Sequence, residues 1–185
     1  MAAPRLVEPV VRFCAVISRY EEARAWAIER LIQRWGEAAE VWPAAEFTAG
    51  GFYDKEMGTG LTKVLVAIEQ FADPAGLAQW KTTTNQWEHE YAEAAGHDEP
   101  RPLNLDPGYV TQAKLVLATV KDRDHRIYLQ EGIFAEVTLN YMRGGWVHHR
   151  WTYPDYRTEA VAKFAMKCRD RLRTHLVQTD GFRRG

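Results

Sequence analysis

Residues 133–142, IFAEVTLNYM, alternate apolar and polar side chains, and this pattern constrains the fold more than any other segment. Side chains along a strand repeat with a period of two. Ile133, Ala135, Val137, Leu139 and Tyr141 therefore share one face, and Phe134, Glu136, Thr138 and Asn140 the other. The run 125–129 precedes it and carries Ile127 and Leu129. For these to join the apolar face, Leu129 must lie opposite Ile133, with Gln130, Glu131 and Gly132 as an odd-length loop. A one-residue slip would expose the whole apolar set. This register predicts Arg126 directly across from Glu136. Extending the face-matching to a third strand at 146–153 puts His149 and Trp151 with the apolar set. Arg150 and Thr152 then join Arg126, Glu136 and Thr138 on a polar face. Its plain reading is the wet side of an antiparallel sheet, with cross-strand ion pairs worth about 0.2–1 kcal/mol each. Arginine forks also suit phosphate or carboxylate ligands.

The rest of the chain divides by period and punctuation. Residues 10–18 are an apolar run broken only by Arg12 and read as a buried strand. Ile28, Leu31, Ile32 and Trp35 recur at helical spacing within 21–35, and Gly36 is a natural stop. A short strand at 41–47, weakened by Pro43, leads into a glycine-rich loop at 49–60 and a strand at 61–71. Asp73-Pro74 opens a second helix, with Leu77, Trp80, Thr84, Trp87 and Tyr91 on one face. A polar loop at 96–102 and a strand at 103–105 would complete a ferredoxin-like β-α-β-β-α-β unit. Asp106-Pro107-Gly108-Tyr109 reads as a type II turn, and Thr111 as the cap of a short helix over 112–120. The three-stranded antiparallel meander follows. A last helix spans 158–176, with Val161, Phe164, Ala165, Cys168 and Leu172 as its buried stripe. The expected fold class is α+β, with a flexible N-terminus at 1–9, one domain at 10–178 and a flexible tail at 179–185.

Composition narrows the classes of function. A net charge of -1 supplies no global field for nucleic acid. The hydrophobic fraction, 46%, is enough for a core. Cys14 and Cys168 are far apart and fall in apolar patterns, so both read as buried hydrophobes. The first nine residues have no apolar segment of the signal-peptide kind, and no run reaches the ~18 apolar residues of a membrane span. A cytoplasmic protein without membrane contact is the expectation.

Four segments carry a resemblance: GFYDKEMG at 51–58, NLDPGYVTQAKLVLATVKDRDHRIYL at 104–129, GIFAEVTL at 132–139 and WTYPDYR at 151–157. They resemble the domain of unknown function 4416 family, mostly bacterial proteins. The resemblance implies no established activity, and some members of that family carry a GTP-binding label. The sequence does not support an ordinary GTPase fold. A P-loop needs GxxxxGK[ST], and Gly58-Thr59-Gly60-Leu61-Thr62-Lys63 lacks that spacing. Lys121-Asp122-Arg123-Asp124 only faintly echoes a guanine-reading motif.

The resemblance directs attention to Asp54, Glu56, Asn104, Asp106, Lys114, Lys121, His125, Arg126, Glu136, Thr138, Asp155, Tyr156 and Arg157. A helix starting after Gly108 would offer free amides to an anion, with Lys114, Lys121, Arg126 and Arg150 nearby. Asp106, Gly108, Lys114, Lys121, Arg126, Thr138, Arg150 and Asp155 are therefore the ligand-binding candidates. His125 and Glu136 are the acid–base candidates. Asp106 and Glu136, with Asp155, are candidate ligands for Mg²⁺. Zinc or haem is not expected: His148 and His149 are adjacent on a strand and point apart. The favoured function is an enzyme, or enzyme-like binder, of a phosphorylated or nucleotide ligand. The alternative is a non-catalytic module for RNA or protein, using the sheet or the basic last helix (Lys163, Lys167, Arg169, Arg171 and Arg173).

Overall fold

The computed structural model describes residues 7–47, 50–51 and 53–181. The expected flexible ends fall largely outside these, as do Thr48, Ala49 and Phe52 of the glycine-rich loop and the basic tail residues Arg183 and Arg184. The fold is α+β. Its strands are β1 (Val10–Ser18), β2 (Ala38–Glu46), β3 (Thr62–Ala72), β4 (Asn104–Val110), β5 (Lys114–Thr119), β6 (Ile127–Gln130), β7 (Ile133–Met142) and β8 (Gly145–His148). The helices are α1 (Glu21–Trp35), the short α2 (Asp54–Met57), α3 (Leu77–Ala95) and α4 (Glu159–Gln178). Among the described residues the strands form one antiparallel sheet in the order β2-β3-β1-β4-β5-β7-β6, with β8 also on β7.

Two apolar layers sandwich this sheet. Helices α1 and α3 cover one face with Ala27, Leu31, Trp35, Trp80 and Trp87 against Cys14, Val16 and Val66. Helix α4 covers the other with Phe164, Ala165, Cys168, Leu172 and Leu176 against Phe13, Ala15 and Leu117. Strand β1 is thus buried on both faces, which is why its sequence reads as a nearly unbroken apolar run. Arg12 survives there by laying its guanidinium over Trp35, 4.5 Å from the ring centroid. Asp73 caps a 3₁₀ turn by accepting from the Ala75 amide, and that turn leads into α3. Pro43 sits on β2, the edge strand, where register is already irregular.

Two local expectations fail. Asp106-Pro107-Gly108-Tyr109 is not a turn but the middle of β4, paired along β1 from Val110 opposite Val11 to Asn104 opposite Ile17. The expected short helix over 112–120 is β5. Thr111 does cap, but its Oγ1 accepts from the Ala113 and Lys114 amides in a tight turn rather than at a helix start. The helix N-terminus proposed as an anion site after Gly108 therefore does not exist.

The meander is also rearranged. One edge of β7 pairs with β5, while β6 and β8 lie end to end along its other edge. Ile127 does lie opposite Ala135, which sets Arg126 beside Glu136 as the alternation predicted. Gln130, rather than Leu129, faces Ile133, and a bulge absorbs Leu129. The loop shrinks to Glu131 and Gly132, both at positive φ, the geometry of a two-residue hairpin. Ile127 and Leu129 are exposed rather than buried, because β6 ends the sheet and contributes nothing to the apolar cores. A second bulge, where Leu115 faces Leu139 and Val116 faces Val137, skips Thr138. Leu139 thereby turns to the α4 side, away from Val137. The expected wet face is not wet: Glu136 and Thr138 are 2% and 0% exposed.

Strands β4 and β5 touch only from Gly108 opposite Leu117 to Val110 opposite Leu115. Pairing stops at Pro107, which has no N–H for a ladder. Beyond it β5 follows β7, with Ala118 opposite Ala135 and Thr119 opposite Phe134, and the sheet parts. Gly108 makes the junction possible: a Cβ there would meet the Val116 carbonyl oxygen at 2.4 Å and Phe13 Cζ at 2.8 Å. Gly108→Ala is expected to destabilise the protein by about 1–3 kcal/mol, read as a lower urea midpoint.

Candidate functional site

The parting of β4 and β5 opens a cleft of about 290 Å³, close to the lower bound for small-molecule sites. Asn104 and Asp106 line one wall, and Leu117 to Lys121 line the other. Ile17, Leu117, Ala118, Glu136 and Tyr156 are buried and form its closed end. Tyr53, Arg101, Lys121 and Tyr153 stand nearer solvent. Among the described residues, four cationic side chains (Lys81, Arg101, Lys121, Arg126) and three carboxylates (Asp106, Glu136, Asp155) reach it.

On the β4 side the charges form a closed ring. Lys81 Nζ, from α3, donates to the Leu105 carbonyl at 2.7 Å and to Asp106 Oδ1 at 3.2 Å. Asn104 Nδ2 donates to Asp106 Oδ2 at 2.8 Å, and Arg101 donates to Asn104 Oδ1. Arg101 also donates to Glu88 Oε2 at 3.0 Å, and Glu88 Oε1 lies 3.6 Å from Lys81 Nζ. The Leu105 amide donates to the same Glu88 Oε1 at 2.8 Å. Burial alone would raise the Asp106 carboxyl, but Lys81, Asn104 and Arg101 outweigh it and hold it below its ordinary value. Burial would likewise lower Lys81 and Arg101, yet Glu88 and Asp106 carry both above theirs.

On the β7 side Glu136 Oε2 accepts from Arg126 Nε at 2.8 Å and faces His125 Nε2 at 3.1 Å. Thr138 Oγ1 donates to Glu136 Oε1 at 3.3 Å. Arg126 is tied further to the Lys121 carbonyl at 2.8 Å. His125 Nδ1 faces Asp124 Oδ1 at 3.0 Å, and its ring stacks on Trp151. At the third wall Lys63 Nζ donates to Asp155 Oδ2 at 2.5 Å. Burial lowers Lys63 despite that partner. Burial, then Arg101, lowers Lys121 as well.

Of the candidates read from sequence, Asp106, Lys121, Arg126, Glu136 and Asp155 meet in this cleft. His125 stands behind it on Glu136, and Thr138 lies beneath. Three candidates do not converge. Gly108 serves close packing, Lys114 is exposed at the far end of β5, and Arg150 is exposed and paired with Asp124 instead of lying beside Glu136. Strand β8 ends at His148, so Arg150 falls in a turn; Thr152 does reach β7, donating to the Thr138 carbonyl at 2.6 Å. Asp106, Glu136 and Asp155 each face a cation, and among the described residues no group of three or more His, Cys, Asp or Glu is placed to hold a metal.

Sequence reasoning missed Lys63, Lys81, Glu88 and Arg101. For Lys81 and Glu88 a signal existed. Both fall on the buried stripe of α3, one turn after Leu77 and Thr84, where a charged residue demands a buried partner.

The family model for the domain of unknown function DUF4416 matches residues 8–172. The chain belongs to the DUF4416 family. The matched span includes every side chain that lines the cleft. No curated protein and no solved structure matches the chain. Among the described residues, no helix is long and apolar enough to cross a membrane.

Lys81→Met, which leaves Asp106 without its paired cation and the Leu105 carbonyl without its donor, is expected to cost about 3–5 kcal/mol in urea unfolding. Lys163→Met, at an exposed pair on α4, should leave the midpoint unchanged. Acid unfolding gives a second test. The Asp106 carboxyl is held below its unfolded value of about 4, so its pairing contributes fully above that pH and is lost as pH falls through the folded value. Asp106→Asn should lower stability at pH 7 and flatten the fall in stability below about pH 4.

Proposed function

We propose that the chain binds a small molecule bearing an anionic group, a phosphorylated compound or nucleotide, in the cleft between β4 and β5. The observation that carries this reading is the cleft's charge: four cations against three carboxylates, set beside the buried apolar side chains Ile17, Leu117 and Ala118. Asp106, Glu136 and Asp155 each have a cationic partner, so an arriving anion meets neutralised carboxylates. Lys121 and Arg101 stand at the more open side, where a phosphate keeps part of its hydration.

An enzymatic role rests on Glu136. It lines the cleft, with His125 at 3.1 Å and Asp124 beyond, so it is the group placed to move a proton to or from a ligand. Magnesium enters only as the ion a nucleotide carries with it. The strand order β2-β3-β1-β4, with α1 and α3 on one face, supports reading the first part of the chain as a ferredoxin-like unit. Two buried free cysteines fit a reducing, cytoplasmic compartment.

The RNA alternative loses support on α4. Lys167 pairs with Glu40, Arg169 donates to the Gln112 carbonyl and Arg171 to the Ile68 carbonyl. Those cations hold the helix to the sheet. A protein-binding reading keeps one observation in its favour, the exposed Ile127 and Tyr128 on edge strand β6.

Thermal-shift measurements with nucleotides and sugar phosphates, with and without Mg²⁺, test the proposal. A ligand at 100 times its Kd adds about 2.7 kcal/mol, a rise of roughly 5–10 °C for a chain of this size. The rise should shrink or vanish in Lys121→Ala. A flat response to every phosphate compound would refute the reading.

A further inference from the structure

The phenol of Tyr156 is 5% exposed, and its Oη is one of three buried side-chain polar atoms among the described residues with no hydrogen-bond partner. The other two, Arg12 Nε and Trp146 Nε1, do not line the cleft; Tyr156 does. Buried tyrosine hydroxyls nearly always find a partner, because an unmet one forfeits its hydration for nothing. The side chain is also well anchored. Its amide donates to the Tyr153 carbonyl at 2.9 Å, and Lys63 Nζ sits 4.0 Å from its ring centroid. Its ring joins the α4 core with Phe164 and Val161.

We propose that Tyr156 Oη is a recognition hydroxyl, donating at the closed end of the cleft to an uncharged acceptor, a carbonyl oxygen or ring nitrogen, on the molecule whose anion sits at Lys121 and Arg101. This rests on the anionic-ligand reading above and deepens it. Burial, then Asp155 and Asp106, drives the phenol well above its ordinary pKa, so it stays neutral and offers a proton. Lys63, Lys81 and Arg126 are each already paired with a carboxylate, Asp155, Asp106 and Glu136, so a second anion would find no unpaired cation there. An uncharged acceptor suits both the donor and this balance of charge. The ligand class is therefore bifunctional: anionic at one end, a neutral heterocycle or amide at the other, as in a nucleoside monophosphate. A bare sugar phosphate carries only the first half.

Wild type and Tyr156→Phe, compared by thermal shift and calorimetry with uridine 5′-monophosphate and ribose 5-phosphate, test this. Without ligand, Tyr156→Phe should melt about 2–4 °C higher, since it removes an unmet buried hydroxyl. Uridine 5′-monophosphate should bind wild type more tightly than ribose 5-phosphate does. Tyr156→Phe should weaken only the nucleotide, by about 3- to 10-fold. A lower melting point for ligand-free Tyr156→Phe overturns the proposal, because the hydroxyl then already has a structural partner. Two ligands that bind both proteins equally overturn it too, while leaving the anion site intact. Failure of both ligands to bind wild type overturns the anion site and this inference together.

Discussion

The separation of β4 from β5 at Pro107 is the constraint on which the rest of the site depends. Gly108 lets the strands approach for three residue pairs, 108–110 against 115–117. Pro107 then ends the ladder, and β5 stays with β7. A continuous sheet here would bury its own backbone and leave no room for a ligand. The split instead admits Lys81 from α3 to Asp106 and leaves Leu117 to Lys121 facing the gap. Polar groups exposed by the parting must be met by side chains, and the Leu105 amide and carbonyl are met by Glu88 and Lys81.

That requirement explains the density of charge. Desolvating an ion is expensive, so each buried carboxylate around the cleft has a cation within hydrogen-bonding distance. The ring through Lys81, Asp106, Asn104, Arg101 and Glu88 fixes β4 to α3, and Glu136 with Arg126 and His125 fixes the start of β6 to β7. Such pairs add little stability over apolar packing of equal volume. They hold groups in one geometry, which a binding site needs. The Tyr156 hydroxyl, buried in the cleft lining without a hydrogen-bond partner, is the exception to this economy.

The hairpin was legible because its signal is periodic. Alternation along 133–137 placed Arg126 against Glu136 without help from the rest of the chain. It failed at Thr138, where a bulge inserts one residue and reverses every face beyond it; no local pattern announces a bulge. The tetrad Asp106-Pro107-Gly108-Tyr109 has strong turn chemistry, yet pairing to β1 holds it extended. The segment 113–120, AKLVLATV, is a short apolar run whose periodicity does not separate buried helix from buried strand. The exposure of the 133–142 polar face was misjudged because His125 and Arg126 close on Glu136 while Trp151 and Thr152 bond the Val137 and Thr138 carbonyls, contacts made between separate elements.

By itself the sequence determined the order of the strands and longer helices up to β4, the placement of Arg126 across from Glu136, and α4 with its buried stripe. Those properties follow from period, capping and turn chemistry, all of which act over a few residues, whereas Asp106, Lys121 and Asp155 drew attention only through the family resemblance. Tertiary structure alone decided that β4 and β5 part, that Lys81 and Arg101 turn inward to meet Asp106, and that the polar side of β7 is covered. Each of these depends on which surfaces meet after the chain has folded, and on the cost of leaving a charge or an amide unpaired once they do.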